Sequence, residues 1–223
     1  MNSPARILSA IALLSFALGA QALSEQPTSV QPVALSGITP TQPGLHLVLN
    51  AGITYGGDTI HVAPYTNGST QDIKAGSLVQ LGIGGLYQFE NDPVALMLSA
   101  NYHVDAAGGS NGSDTFSRFP IEALVYYTGK ERFRIGGGVR IVNSPEWVYT
   151  VNGVTEKATF DNTTGLVAEI GYHLTRKAWL NLRFVSEKYK ANTYTAPNGV
   201  TYSQAGRAPF SGSHMGVNFT FEF

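Results

Sequence analysis

Acyl-transfer or hydrolytic chemistry needs a nucleophile and a base within hydrogen-bond reach of each other. The candidate bases are five histidines, at positions 46, 61, 103, 173 and 214. None has a serine suitably placed. Ser213 and His214 are adjacent, so in extended chain their side chains point to opposite faces, and Ser99 and His103 share a face but stand about 13 Å apart. His46 has no serine within two positions. No two histidines stand at i, i+2 beside a carboxylate, as a metal site would ask. The absence of cysteine removes thiolate zinc sites, cysteine nucleophiles and disulfides together. Gly136-Gly137-Gly138 has no helix after it and is no phosphate cradle. No catalytic residue, cofactor or metal is therefore expected, and the chain does not read as an enzyme.

What remains is charge. Arg118, Arg132, Arg134, Arg140 and Arg183, with Glu122, Glu169, Glu187 and Glu222, occupy the polar side of stretches whose other side is apolar. Those nine residues are the main polar site the sequence offers, and their meaning depends on the elements that hold them.

From residue 45 onward the chain alternates with period two, the mark of strands with one apolar face. Residues 214–223 show it best: Met215, Val217, Phe219, Phe221 and Phe223 fall on one side, His214, Gly216, Asn218, Thr220 and Glu222 on the other. Similar stretches cover 45–55, 79–89, 96–104, 118–127, 132–141, 166–174 and 180–187, giving eight strands. The connections alternate in length. Residues 90–93, 128–131 and 175–177 read as tight turns, whereas 56–76, 105–115, 143–159 and 190–212 read as longer loops rich in Gly, Asn, Ser and Thr. These loops carry Tyr65, Trp147, Tyr149, Tyr194, Tyr202 and Phe210, which are candidate contacts for an external surface or packing between loops.

The first 22 residues differ in kind. Arg6 precedes an apolar run over 7–18, and Ala20-Gln21-Ala22 fits a small-residue cleavage site, the order of a secretory signal peptide. That run is short of the ~20 residues a membrane-spanning helix needs. Residues 23–44, with Pro27, Pro32, Pro40 and Pro43 and no periodicity, read as a tail preceding a barrel over 45–223.

Composition narrows the class. Charged residues are 13% of the 223, and 14 Lys+Arg against 15 Asp+Glu leave no basic face for nucleic acid. An eight-stranded barrel is either soluble, with an apolar interior, or a membrane barrel with an apolar exterior and a polar lumen. The polar face carries Gly82, Gly84, Gly136, Gly138, Gly171 and Gly216 beside long Arg and Glu chains, which suits a narrow interior. The apolar face has aromatics toward its ends and no charge in its middle, as lipid with two interfacial girdles requires. The expected fold is all-β, an eight-stranded antiparallel up-and-down transmembrane barrel. In so narrow a lumen the nine charges are expected to pair and plug the barrel; a charged constriction selecting solutes is the alternative.

The signal segment, the eight alternating strands, the long and short connections and Phe223 together resemble the small eight-stranded outer-membrane barrels of Gram-negative bacteria, the OmpA transmembrane domain, OmpX and OmpW types. The resemblance is architectural. It implies residence in the outer membrane with both termini periplasmic, contact with outer-membrane lipids, and an assembly signal for the barrel-insertion machinery in Phe219, Phe221 and Phe223. It also implies a structural, adhesive or ligand-binding role through the extracellular loops. The alternative is a narrow channel for small or hydrophobic solutes, as in OmpW types. A lipid A-modifying enzyme is a third possibility, against which the histidine placement argues.

One contact follows from the turn at 175–177. If Leu174 opposes Ala178, paired residues sum to 352, so Tyr172 meets Leu180, Ile170 meets Leu182, and Glu169 lies directly across from Arg183 on the lumen face.

Overall fold

The computed structural model describes residues 42–65, 67–130 and 132–223. The expected signal peptide, and the tail up to residue 41, lie outside the described residues. Eight long strands form the frame: β1 (Gly44–Gly56), β2 (Leu78–Gln88), β3 (Val94–Gly109), β4 (Gly112–Tyr127), β5 (Phe133–Val151), β6 (Thr163–Thr175), β7 (Ala178–Ser186) and β8 (His214–Glu222). Each pairs antiparallel with its neighbours in the chain, and β8 pairs back onto β1, from Val48 opposite Glu222 to Gly56 opposite His214. The sheet is a closed barrel, so none of the eight strands leaves an unpaired edge. Gly44, the last residue of the expected tail, is already in β1.

Burial follows the sequence alternation. Along β3, Leu96, Leu98 and Tyr102 point outward and are exposed, while Met97, Ser99, Asn101 and His103 point inward and are buried. The same holds around the ring. Leu47, Ile53, Ile83, Ile121, Ile135, Leu166 and Ile170 are each at least half exposed on the outside, and the enclosed side is mostly polar. The barrel is inverted relative to a soluble one. Its interior is crowded: a Cβ added at Gly136 would stand 2.3 Å from the Tyr126 ring, and one at Gly171 would stand 2.8 Å from Cγ of Arg134. Those glycines make room for the large inward side chains opposite them.

The two ends differ. At one end, the connections from β2 to β3, β4 to β5 and β6 to β7 are short. At the other, the segments expected as loops are largely strand. β3 and β4 run on for 16 residues each and meet across residues 110–111. β5 continues to Val151 and folds back as Val154–Phe160. Thr59–Pro64 pairs with Thr70–Lys74, and Ala191–Thr195 pairs with both Val154–Phe160 and Thr201–Ser203. Small residues that read as loop composition are strand residues in these hairpins.

The β6–β7 register agrees with the expectation over most of its length: Tyr172 lies opposite Leu180, Ile170 opposite Leu182, and Glu169 opposite Arg183. The turn itself differs. Ala178 pairs with Thr175 rather than Leu174, and an irregularity between Ala178 and Trp179 restores the sum of 352. Lys177 N–H bonds the Thr175 hydroxyl at 3.3 Å, which tightens the turn by one residue.

Candidate functional site

Eight of the nine charged residues singled out in the sequence lie in the lumen and are at most 3% exposed. Glu122 on β4 receives Arg183 of β7 and, at 3.7 Å, Arg140 of β5. Arg140 Nε also reaches Glu187 at 3.1 Å, and Arg183 Nη1 reaches Glu169 at 3.2 Å. Arg134 meets Glu222 at 3.5 Å. Glu122–Arg140 and Glu169–Arg183 are directly opposed pairs on adjacent strands, whereas Arg183–Glu122, Arg140–Glu187 and Arg134–Glu222 join segments that are not neighbours in the sheet and so cross the lumen. Tyrosines supply donors the guanidinium groups do not: Tyr126 donates to Glu169 and Tyr189 to Glu187, each at 2.6 Å. Arg134 is further held by two bonds to Asn181 Oδ1, at 3.1 and 3.2 Å, and lies over the rings of Tyr126 and Trp179. Buried charge costs several kcal/mol per ion unless paired and hydrogen-bonded, and most of this set meets that condition.

Two of the arginines behave differently. Arg118 contacts the His103 ring at 2.9 Å and lies over Phe116, at 4.9 Å from the ring centroid. Arg132 is not in the lumen. It precedes β5 at the turn end, is half-buried, and donates to the hydroxyl of Tyr172 on the outer face at 3.1 Å. The expectation failed there because β5 starts at Phe133, so the alternation does not govern Arg132.

The histidines are each engaged locally. His103 bonds the Thr54 hydroxyl at 2.9 Å, His214 bonds the Gly212 carbonyl at 2.7 Å, His46 bonds the Gln42 carbonyl at 2.6 Å, and His173 stacks on Trp179 at 3.8 Å. His61 holds a place the sequence did not reveal. Its Nδ1 lies 2.5 Å from Oδ2 of Asp114, whose other oxygen accepts from Trp147 Nε1 at 2.6 Å. Residues from the first hairpin, β4 and β5 thus converge on one carboxylate that is 1% exposed. Nearby, Asp105 accepts the backbone N–H of Lys74 at 2.8 Å, and burial raises its carboxyl above the ordinary range. Farther out, Tyr194 donates to Glu156 at 2.6 Å, and that bond pushes its hydroxyl up.

Around these groups Ile73, Phe116, Val142, Trp147, Phe160 and Tyr189 form an apolar cluster closed by small alanines. Phe116 is two residues beyond Arg118 toward the hairpin end, so this cluster caps the charged lumen on that side. Of the loop aromatics, Trp147 is buried here at 5% exposure, Tyr65, Tyr149, Tyr194 and Phe210 are partly buried, and Tyr202 is exposed.

On the outer face, aromatic side chains gather at the two ends of the apolar band. Tyr87 with Phe89 and Phe133 with Tyr172 pack near the turn end, and Tyr102 with Phe119 near the hairpin end. Phe219, Phe221 and Phe223 all face outward on the β8 side and are 41%, 39% and 60% exposed.

No family model and no curated protein matches the chain. Solved structures do. Ail, the attachment invasion locus protein of Yersinia pestis, in complex with the heparin analogue sucrose octasulfate, aligns over 82% of this chain and 100% of its own, with 9% identity and a TM-score of 0.50. Neisserial surface protein A aligns over 81% and 97%, with 10% identity and a TM-score of 0.48. The outer membrane protein OprG from Pseudomonas aeruginosa aligns over 83% and 99%, with 16% identity and a TM-score of 0.44. At these identities the likeness is one of fold: the chain has the architecture of the small eight-stranded outer-membrane barrels.

Proposed function

We propose that this chain is an integral outer-membrane protein of a Gram-negative bacterium, with a closed lumen and a binding or adhesive role carried by its hairpin end. The observation that carries the reading is the inversion of the barrel together with its filling. The exposed band is apolar, and the enclosed space is crossed by Arg140, Arg183, Glu122, Glu169 and Glu187 in bonded contact. A lumen crossed by ion pairs and capped by an apolar cluster favours a plug over a conducting channel. The hairpin end is then the extracellular surface, stiffened by strand pairing, and the short turns and both termini are periplasmic. The outward phenylalanines Phe219, Phe221 and Phe223 are the residues we assign to recognition by the insertion machinery.

Planar-bilayer recording of the refolded protein tests the closed lumen. No resolved single-channel steps are expected at moderate voltage. Reproducible unitary currents would overturn the plug and favour a narrow channel for small solutes.

A further inference from the structure

Between β3 and β4 the ladder is interrupted. Ala100 pairs with Ile121 and His103 with Arg118, in the same register, but Asn101 with Pro120 and Tyr102 with Phe119 do not pair. Pro120 has no N–H to give, and a proline inside a strand paired on both sides leaves its neighbour short of a bond. Asn101 partly fills the gap, its Nδ2 reaching the Pro120 carbonyl at 3.4 Å, while its Oδ1 has no hydrogen-bond partner although the residue is only 5% exposed.

A shallow, open groove of about 550 Å³ lies on the outer face at this break. Ala100 and Pro120 form its shallow floor with Asn101, and Leu81, Ile83, Tyr102, Phe119 and Ile121 stand around it. It is polarised along the barrel axis. Asn143, Tyr102 and Phe119 stand toward the hairpin end at the level of the aromatic girdle, and Ile83 and Ile121 lie farther into the apolar band. A polar mouth at the interface and an apolar body toward the bilayer centre have the shape of one esterified hydrocarbon chain.

We propose that this groove is a binding site for a single acyl chain of a membrane lipid, entering from the hairpin-side leaflet. Its ester end lies near Asn143 and Tyr102, and its methylenes lie along Ala100, Ile83 and Ile121. The proposal rests on the membrane reading above, since only a barrel wall facing hydrocarbon meets such a chain at high local concentration. It adds that this position holds a lipid in preference to the rest of the wall. The gap in the β3–β4 ladder gives the site backbone polar groups that a fully paired wall lacks; the Asn101 side chain turns into the lumen and takes no part.

The test uses methyl-labelled full-length barrel in detergent micelles, titrated with a phosphatidylcholine carrying a nitroxide on one acyl chain. At equimolar lipid, relaxation enhancement at the Ile83 and Ile121 methyls is expected to exceed that at Leu182 and Val217, on the opposite wall, several-fold and then to saturate. Ala100→Phe, which fills the floor, and Pro120→Ala, which restores the missing N–H, should each abolish the difference while leaving heat-modifiable migration intact. Equal enhancement on both walls would overturn the site and leave only a lipid annulus, as would an undiminished preference in both variants. If the barrel stayed monodisperse in water without detergent, the membrane reading itself would fall, an outcome distinct from equal enhancement within micelles.

Discussion

Glu169 and Arg183 show how much one residue pair can carry. They sit directly across the β6–β7 ladder and meet at 3.2 Å, both about 2% exposed. Each also has a second partner: Glu169 accepts from Tyr126, and Arg183 reaches Glu122. Removing one side of a buried pair strands the other charge, at about 3–5 kcal/mol. Arg183→Met should be the costlier change, since it takes a cation from two carboxylates and leaves Glu169 with none, whereas Glu169→Gln keeps an oxygen for Tyr126. Combining Glu169→Gln with Arg183→Met should cost less than the sum of the singles, yet more than the Glu169 change alone, because Glu122 still loses its shorter ion pair and keeps only Arg140 at 3.7 Å. Urea unfolding in lipid vesicles measures all three. Strict additivity would show that the two side chains do not act together.

At the scale of elements, the legible and illegible parts of the sequence divide at Arg118 and Phe116. Within the apolar band the outward side chains are apolar and the inward ones polar, so Ile121, Ala123 and Val125 announced a strand directly. Two residues past Arg118 the sorting reverses: Phe116 and Trp147 face inward, and Ser117 and Thr115 face outward. Water outside and an apolar cap inside invert the sign of the pattern, and so those segments read as loops. A shift in the β4–β5 register adds to this. Beside it, Ser144 takes a positive φ of 48° and donates its N–H to Asn162 at 2.9 Å. The lumen charges were legible because they share the phase of the band; the Asp114 cluster was not, because its members come from three separate segments. That carboxylate should act as the tie between them. Asp114→Ala removes the acceptor of both His61 and Trp147 and should leave the barrel folded while freeing the hairpin Thr59–Pro64/Thr70–Lys74. Limited proteolysis of the refolded variant should then cut between residues 57 and 76 several-fold faster than in the parent. Equal cutting rates would show that the strand pairing of that hairpin suffices without the tie.

The whole molecule is defined by which side of the wall is apolar, and that can be tested without any ligand. Ile170 and Leu182 are paired neighbours on β6 and β7, outward-facing, 50% and 43% exposed, and lie inside the apolar band, one outward position in from the girdle residue Tyr172. In a water-soluble barrel an exposed Ile170→Arg would be nearly silent, since surface changes away from special features stay within about ±0.5 kcal/mol. In a bilayer the same change puts a guanidinium inside the apolar band and should cost well over ~1 kcal/mol, toward the ~2–4 kcal/mol of the midplane. Asn181 lies next to Leu182 but points into the lumen, where it bonds Arg134, Thr220 and the Asn218 carbonyl. Asn181→Ser keeps a small polar group there and, leaving no charge in lipid, should cost less than Ile170→Arg. The ranking is therefore set by direction rather than by burial: the exposed position is the expensive one and the fully buried position the tolerant one, the reverse of a soluble protein. Folding titrations in phosphatidylcholine vesicles, read by tryptophan fluorescence and heat-modifiable migration, give both costs. A silent Ile170→Arg beside a damaging Asn181→Ser would mean that water, not lipid, covers the outer wall.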